Sequence, residues 1–197
     1  MTLILKYWEF KMKQKEVIPA GGGWLEKAVR EFSGSTFERM DLQWMLITAA
    51  DLGTDNGNWN TMTASWGGLG VLWGRDVAFI FIRPSRRTFG FANDSSIFTL
   101  SFFDEAHRSA LDLCGGKSGR DTDKAEAAGL TPVYFEDGPI KGAVSFREAR
   151  DILFCKKIYA QDIDPVLFLD ETIEKNYNGN NYHRMYIGEI IGYRTRT

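Results

Sequence analysis

From about Met40 onward, short apolar runs alternate with turn residues along the chain. LQWMLITAAD, residues 42–51, is an apolar run with a β-branched centre and reads as a strand. TDNGN, residues 54–58, carries an Asn-Gly pair, the favoured chemistry for a tight hairpin turn. In NTMTASWGG, residues 60–68, Thr61, Thr63 and Ser65 alternate with Met62, Ala64 and Trp66. A period of two predicts a strand with one polar and one packed face. VAFIFIRP, residues 77–84, predicts a buried strand ending at Pro84, and IFTLSFF, residues 97–103, predicts another. Three more strands are expected in TPVYFED, in AVSFREARDILFCKKIYAQDI and in YHRMYIGEIIGYRTR, with bends in the two long ones.

Helical spacing enters between these runs. RRTFGFAND has room for one or two turns. DEAHRSALDLC, residues 104–114, sets Ala106, Ala110, Leu111 and Cys114 on one side and stops at Gly115-Gly116. DTDKAEAAG, residues 121–129, starts with an acidic cap and ends at Gly129, and ETIEKNY, residues 171–177, reads as a short helix. Residues 1–37 differ from the rest. They mix Lys with Glu, break at Pro19-Ala20-Gly21-Gly22-Gly23, and show a short helical pattern in WLEKAVRE, with Trp24, Leu25 and Val29 on one side. The expected organisation is an N-terminal arm, 1–37, and one domain, 38–197. Antiparallel-style strands with inserted helices predict a β-barrel with helical decoration; the strict βα alternation of a doubly wound sheet is absent.

Composition removes several partners. The 197 residues hold 24 Lys+Arg and 26 Asp+Glu, a formal charge of −2, so no global basic excess exists for a nucleic-acid backbone. At 44% hydrophobic and 25% charged residues the chain has globular averages. No apolar run reaches eighteen residues, so no membrane helix is expected. Two cysteines, Cys114 and Cys155, fit a reducing compartment, and two histidines, His107 and His183, cannot build a His-rich metal site. MTLILKYWEF lacks an export-signal pattern, so a cytoplasmic location is expected.

Two nucleotide motifs fail on spacing. Gly68-Leu69-Gly70 would need a third glycine where Trp73 stands, and it leads into a strand where the dinucleotide fingerprint needs a helix. Gly116-Lys117-Ser118 lacks the P-loop glycine, because position 111 is Leu111. The turn GGKSGRD, residues 115–121, still offers glycine N–H groups, a hydroxyl and two cations to an anion; a solvated turn is the alternative. RPSRRT, residues 83–88, places Arg83, Arg86 and Arg87 beside Ser85 and Thr88, which suits one phosphate; solvated arginines are the alternative. His183 opens the last strand, and a lone histidine is more often structural than catalytic. No Ser-His-Asp arrangement stands out. The dense aromatics (six Trp, seven Tyr, fourteen Phe) fit a packed barrel core or a site for a flat ring.

Taken together, NTMTASWGGLG, RPSRRT, GGKSGRDTDKAEAAGL and YHRMYIGEI resemble, in order and separation, the flavin reductase-like family of FMN-binding split barrels. The resemblance runs from about Asp41 to Tyr193. It implies a mainly β protein, an antiparallel split β-barrel of Greek-key type with a few short helices, acting as a homodimer. It also implies FMN as cofactor, NADH or NADPH as electron donor, and an acceptor that is free flavin, an oxygenase or another protein. On this resemblance Thr61, Met62, Thr63, Ala64, Ser65 and Trp66 would run along the flavin, and Arg83, Arg86 and Thr88 would hold its phosphate. Lys117, Ser118 and Gly119 would close over the ribityl-phosphate side, and His183 would stand as the catalytic residue where nicotinamide stacks. No metal is implied. The expected activity is an NAD(P)H-dependent flavin reductase; the alternatives are a non-catalytic FMN-binding or electron-relay protein and an oxidase of pyridoxamine-phosphate type.

Overall fold

The structure, a computed structural model, describes residues 16–17, 23–51 and 58–196. Of the Asn-Gly turn expected at 54–58, only Asn58 lies within them. The strands are β1 Glu16–Val17, β2 Leu25–Lys27, β3 Met45–Ala50, β4 Trp59–Ala64, β5 Gly67–Leu72, β6 Arg75–Ile82, β7 Ile97–Phe102, β8 Pro132–Tyr134, β9 Val144–Phe146, β10 Asp151–Asp162 and β11 Arg184–Thr195. The α-helices are α1 Arg87–Asp94, α2 Arg108–Gly116 and α3 Lys124–Ala128.

The main sheet runs in the order β4-β3-β7-β10-β11-β6-β5, with antiparallel neighbours throughout. Its two ends, β4 and β5, are consecutive in the chain and meet at the corner Ser65-Trp66, so the sheet is a barrel split between them. Two register shifts in the β10–β11 pair, at Phe154/Cys155 and Lys157/Tyr159, supply the bends expected in the long strands. A small second sheet, β1-β8-β9, packs beside the barrel.

The period of two explains the layering. Met45, Ile47 and Ala49 of β3 point into the barrel core with Ile80, Ile82, Leu100, Phe102 and Leu153. The intervening Leu46 points outward, into a second core built with Leu111 and Cys114 of α2, Ala125 of α3, and Phe135, Phe146 and Phe154. Covered on both faces, β3 is buried at all six positions. Helix α3 forms as its caps predict: the Asp123 carboxylate accepts the Ala125 and Glu126 N–H groups, and Gly129 ends the helix at φ 66.

Three expectations need correction. WLEKAVRE does not form a helix: β2 pairs with β11 and a 3-10 turn, Val29–Glu31, follows. Trp24 is buried and donates its indole N–H to the Ala149 carbonyl at 3.0 Å, whereas Leu25 is exposed, so the two do not share a face. GGLGVL forms the strand β5, which its glycines hid. AVSFREARDILFCKKIYAQDI is two strands, broken between Phe146 and Asp151.

That break places Asp151 in the interior. Its carboxylate, 2% exposed, accepts from Arg39 Nη1 (2.8 Å), Arg150 Nε (2.9 Å) and the Tyr193 hydroxyl (2.8 Å). Burial by itself would raise this carboxyl. Hydrogen bonds from Thr195, Arg150 and Tyr193 and the charge of Arg39 outweigh it and hold the group below the ordinary carboxylate range.

Candidate functional site

Among the described residues, strand β4 pairs on one flank only, with β3. Opposite Thr48, the Thr61 side chain is buried on the face turned away from the barrel core: its hydroxyl meets that of Thr48 at 2.9 Å and donates to the Ile47 carbonyl. With this hydroxyl engaged, Thr61 can offer a ligand only its main chain. Met62 and Ala64 pack in the barrel core. The Thr63 hydroxyl donates to the Leu111 carbonyl, which lays α2 against the face of β4 turned away from the barrel core. Ser65 and Trp66 follow at the corner, with Trp66 half exposed at 48%.

Two residues outside the expected set fix this flank. The Asn60 amide, buried, donates to the Thr88 hydroxyl at 2.7 Å and to the Thr61 carbonyl at 3.2 Å. The Lys124 ammonium, also buried, donates to the Thr61 carbonyl at 2.8 Å and to the Cys114 carbonyl at 2.7 Å. Thr88 itself has no exposed surface and reaches the site through Asn60.

The two turns of RPSRRT and GGKSGRD come together. Arg86 donates to the Gly115 carbonyl (2.9 Å), Arg87 to the Gly119 carbonyl (2.7 Å), and Arg120 to the Ser85 carbonyl (3.3 Å). Arg83 donates to the Asn176 carbonyl (2.8 Å) and lies over the Tyr177 ring. Among the described residues, none of these four guanidiniums pairs with a carboxylate. Lys117 and Ser118 are exposed on the same turn, and the Ser118 hydroxyl accepts the Arg120 main-chain N–H. Gly119 sits where a side chain has no room: a Cβ there would stand 2.0 Å from Asn60 Oδ1.

His183 closes the other side. It is 8% exposed, its Nδ1 shares a 2.9 Å hydrogen bond with the Tyr177 hydroxyl, and its ring leans against Trp66 at 5.3 Å between centroids. Burial, aided by the charges of Arg83 and Arg86, lowers its pKa to about 4, so the imidazole is neutral at physiological pH. Phe168 stacks on Tyr177 from the far side. The geometry therefore joins a wall of Trp66, His183 and Tyr177 to a basic turn, with the open flank of β4 as a third side. Among the described residues no cluster of His, Cys, Asp or Glu could hold a metal ion.

A family model described as a flavin reductase-like domain matches residues 37–197. The chain belongs to the flavin reductase-like family. An FMN-binding domain of a flavin reductase-like enzyme from Shewanella baltica superposes with a TM-score of 0.60 at 16% identity, covering 88% of this chain and 77% of that one. Flavoredoxin of Desulfovibrio vulgaris gives 0.59 at 20% identity, covering 87% and 76%. Nitrilotriacetate monooxygenase component B from Bacillus cereus gives 0.59 at 14%, covering 87% and 81%. At these identities the likeness is one of fold, the split barrel. No curated protein matches the chain.

Within this flavin reductase-like barrel, Asn60, Lys124 and Tyr177 are the residues that sequence reasoning missed. A polar residue in a strand or helix reads as solvated, and only the tertiary packing reveals it as a buried tie. Gly119 gives a direct test. Gly119→Ala must push Asn60 off its bond to Thr88, and overpacking of this kind costs about 1–3 kcal/mol. The expected result is a lowered melting temperature; unchanged melting would mean that the 115–121 turn yields freely.

Proposed function

We propose that the protein is an FMN-binding oxidoreductase that takes hydride from NADH or NADPH, a flavin reductase. One observation carries the reading: the guanidiniums of Arg86, Arg87 and Arg120 tie two adjoining turns together, Arg83 stands near Arg86 beside His183, and among the described residues all four donate to main-chain carbonyls and to no carboxylate. Uncompensated cations in such a group suit a dianionic phosphate. The close approach of Gly119 to Asn60 adds a main-chain cradle to the same place. FMN, when bound, supplies hydride acceptance and electron transfer, and the protein supplies orientation and electrostatics.

The residues divide the work. Arg83, Arg86 and the 115–120 turn, with Lys117 and Ser118, hold the phosphate. The open flank of β4 and the corner after it offer the Thr61 N–H and the main-chain groups from Thr63 to Trp66 to the polar edge of the ring, the Thr61 carbonyl being taken by Lys124 and Asn60. Trp66 and His183 form an aromatic wall against which a nicotinamide ring can lie. His183 is the candidate catalytic residue. Because it is neutral, it orients by hydrogen bonding and shape, and does not act as an imidazolium acid at neutral pH. A homodimer is part of the same reading: Val166, Leu167 and Leu169 are exposed beside the Phe168–Tyr177 stack, and a second subunit would cover them.

The test is spectroscopic. Purified protein is titrated with FMN, then given NADH and, separately, NADPH without oxygen. Bleaching of the bound-flavin absorption near ~450 nm, a property of the cofactor, is expected with one or both donors. Binding without bleaching would favour the electron-relay reading. Absence of FMN binding would sink both.

A further inference from the structure

Among the described residues Lys124 is the one buried lysine, and its ammonium meets no carboxylate there. It joins two elements that are separate in the chain. One bond goes to the Thr61 carbonyl, on the strand offered to the flavin ring. The other goes to the Cys114 carbonyl, in the last turn of α2, immediately before the Gly115–Arg120 turn offered to the phosphate. The Thr61 carbonyl also accepts from Asn60, whose second bond reaches Thr88 beside the arginines. Since Thr61 turns this carbonyl away from β3, the alternation of an antiparallel pair turns the main-chain groups of Thr63 to the same open flank. The lysine thus fixes both the height of that flank and its distance from the basic turn.

We propose that Lys124 is a positioning residue for the flavin, setting the separation between the part of the site that faces the ring and the part that faces the phosphate. This rests on the FMN reading above. A buried cation held only by carbonyls is a costly way to fasten a strand. Burial, with the nearby charge of Arg86, lowers its pKa to about 8 against the opposing effect of Cys114. An apolar side chain would fill the same volume at lower cost if packing were its only task.

The separating measurement compares FMN with riboflavin, which has the same ring and no phosphate. A correctly spaced site engages both ends at once, so wild-type protein prefers FMN. In Lys124→Met the ring and phosphate sites lose their spacing, and the FMN-to-riboflavin preference is expected to fall at least tenfold while circular dichroism stays native. Lys124→Arg, which keeps the charge and the donors, is expected to recover part of it. An unchanged preference in a folded Lys124→Met protein overturns the proposal. So does failure of both variants to fold, because the lysine then serves stability alone. If wild-type protein binds neither flavin, it is the FMN reading that fails, and the two failures are distinct.

Discussion

Arg83→Ala is expected to weaken FMN binding by about 1.5–3 kcal/mol, roughly ten- to 150-fold, as removal of one charge-assisted phosphate contact does. Arg83 is the candidate phosphate ligand with the least structural work. It donates to one carbonyl, that of Asn176, and rests on the Tyr177 ring. Its loss should leave melting almost unchanged. A second readout belongs to the same substitution. Arg83 helps hold the His183 pKa down, so its removal moves that value up from about 4, while burial, the larger cause, keeps it below the ordinary histidine range. Flavin fluorescence titration and the His183 ring resonances followed with pH would measure the two effects. Unchanged affinity together with a shifted histidine would leave Arg83 beside the site and outside the phosphate contact. Arg83→Lys should recover charge without paired hydrogen bonding, and so restore only part of the affinity.

Asp151→Ala should be strongly destabilising. The carboxylate is the shared acceptor of Arg39, Arg150 and the Tyr193 hydroxyl, and its removal leaves the Arg39 guanidinium, itself mostly buried, without its counter-ion. Breaking a buried pair in this way costs about 3–5 kcal/mol. For a chain of this length that is roughly 6–20 °C in melting temperature. The pH dependence has a defined sign. The folded-state pKa of Asp151 is depressed, so its contribution is complete above the unfolded carboxylate value, about 3.9, and is lost as pH falls through the lower folded value. Wild-type protein should therefore lose stability in that acid range more steeply than Asp151→Ala. Urea unfolding of both proteins at neutral and acid pH decides it, and a loss under about 1 kcal/mol would mean that the node is solvated.

The two nodes show what could be read from the residues alone. Alternation in NTMTAS and the apolar runs at 77–82 and 97–102 located β4, β6 and β7, because a strand's faces are written in period two. The acidic start of DTDKAEAAG and Gly129 marked α3, because caps are local chemistry; the structure sets the cap at Asp123. The basic turns were visible as residue clusters, and their meeting follows from the order in which β4, α1 and α2 pack. Strand β5 was hidden: GGLG carries the composition of a loop, and only its pairing with β6 makes it a strand. The break at Phe146–Asp151 was hidden as well, since the apolar pattern runs through it while the buried acid requires the chain to turn. Asn60 and Lys124 carry no local sign at all. The carbonyls that hold Lys124 and the Thr88 hydroxyl that holds Asn60 come from other elements, which no window of sequence contains.

The pairing of Leu25–Lys27 has a consequence for where the folding unit begins. Strand β11 is flanked by β6 only as far as Glu189, and β2 takes over beside Tyr193–Thr195. The family match starts at residue 37, after this segment. A chain cut at that boundary would keep every residue of the proposed flavin site yet bare the last three residues of β11 on that flank, leaving main-chain donors and acceptors as a template for strands of other molecules. The few residues before the barrel thus cover that stretch of edge against strand-to-strand pairing, and the indole of Trp24, fastened to Ala149, is the pin that keeps the cover in place.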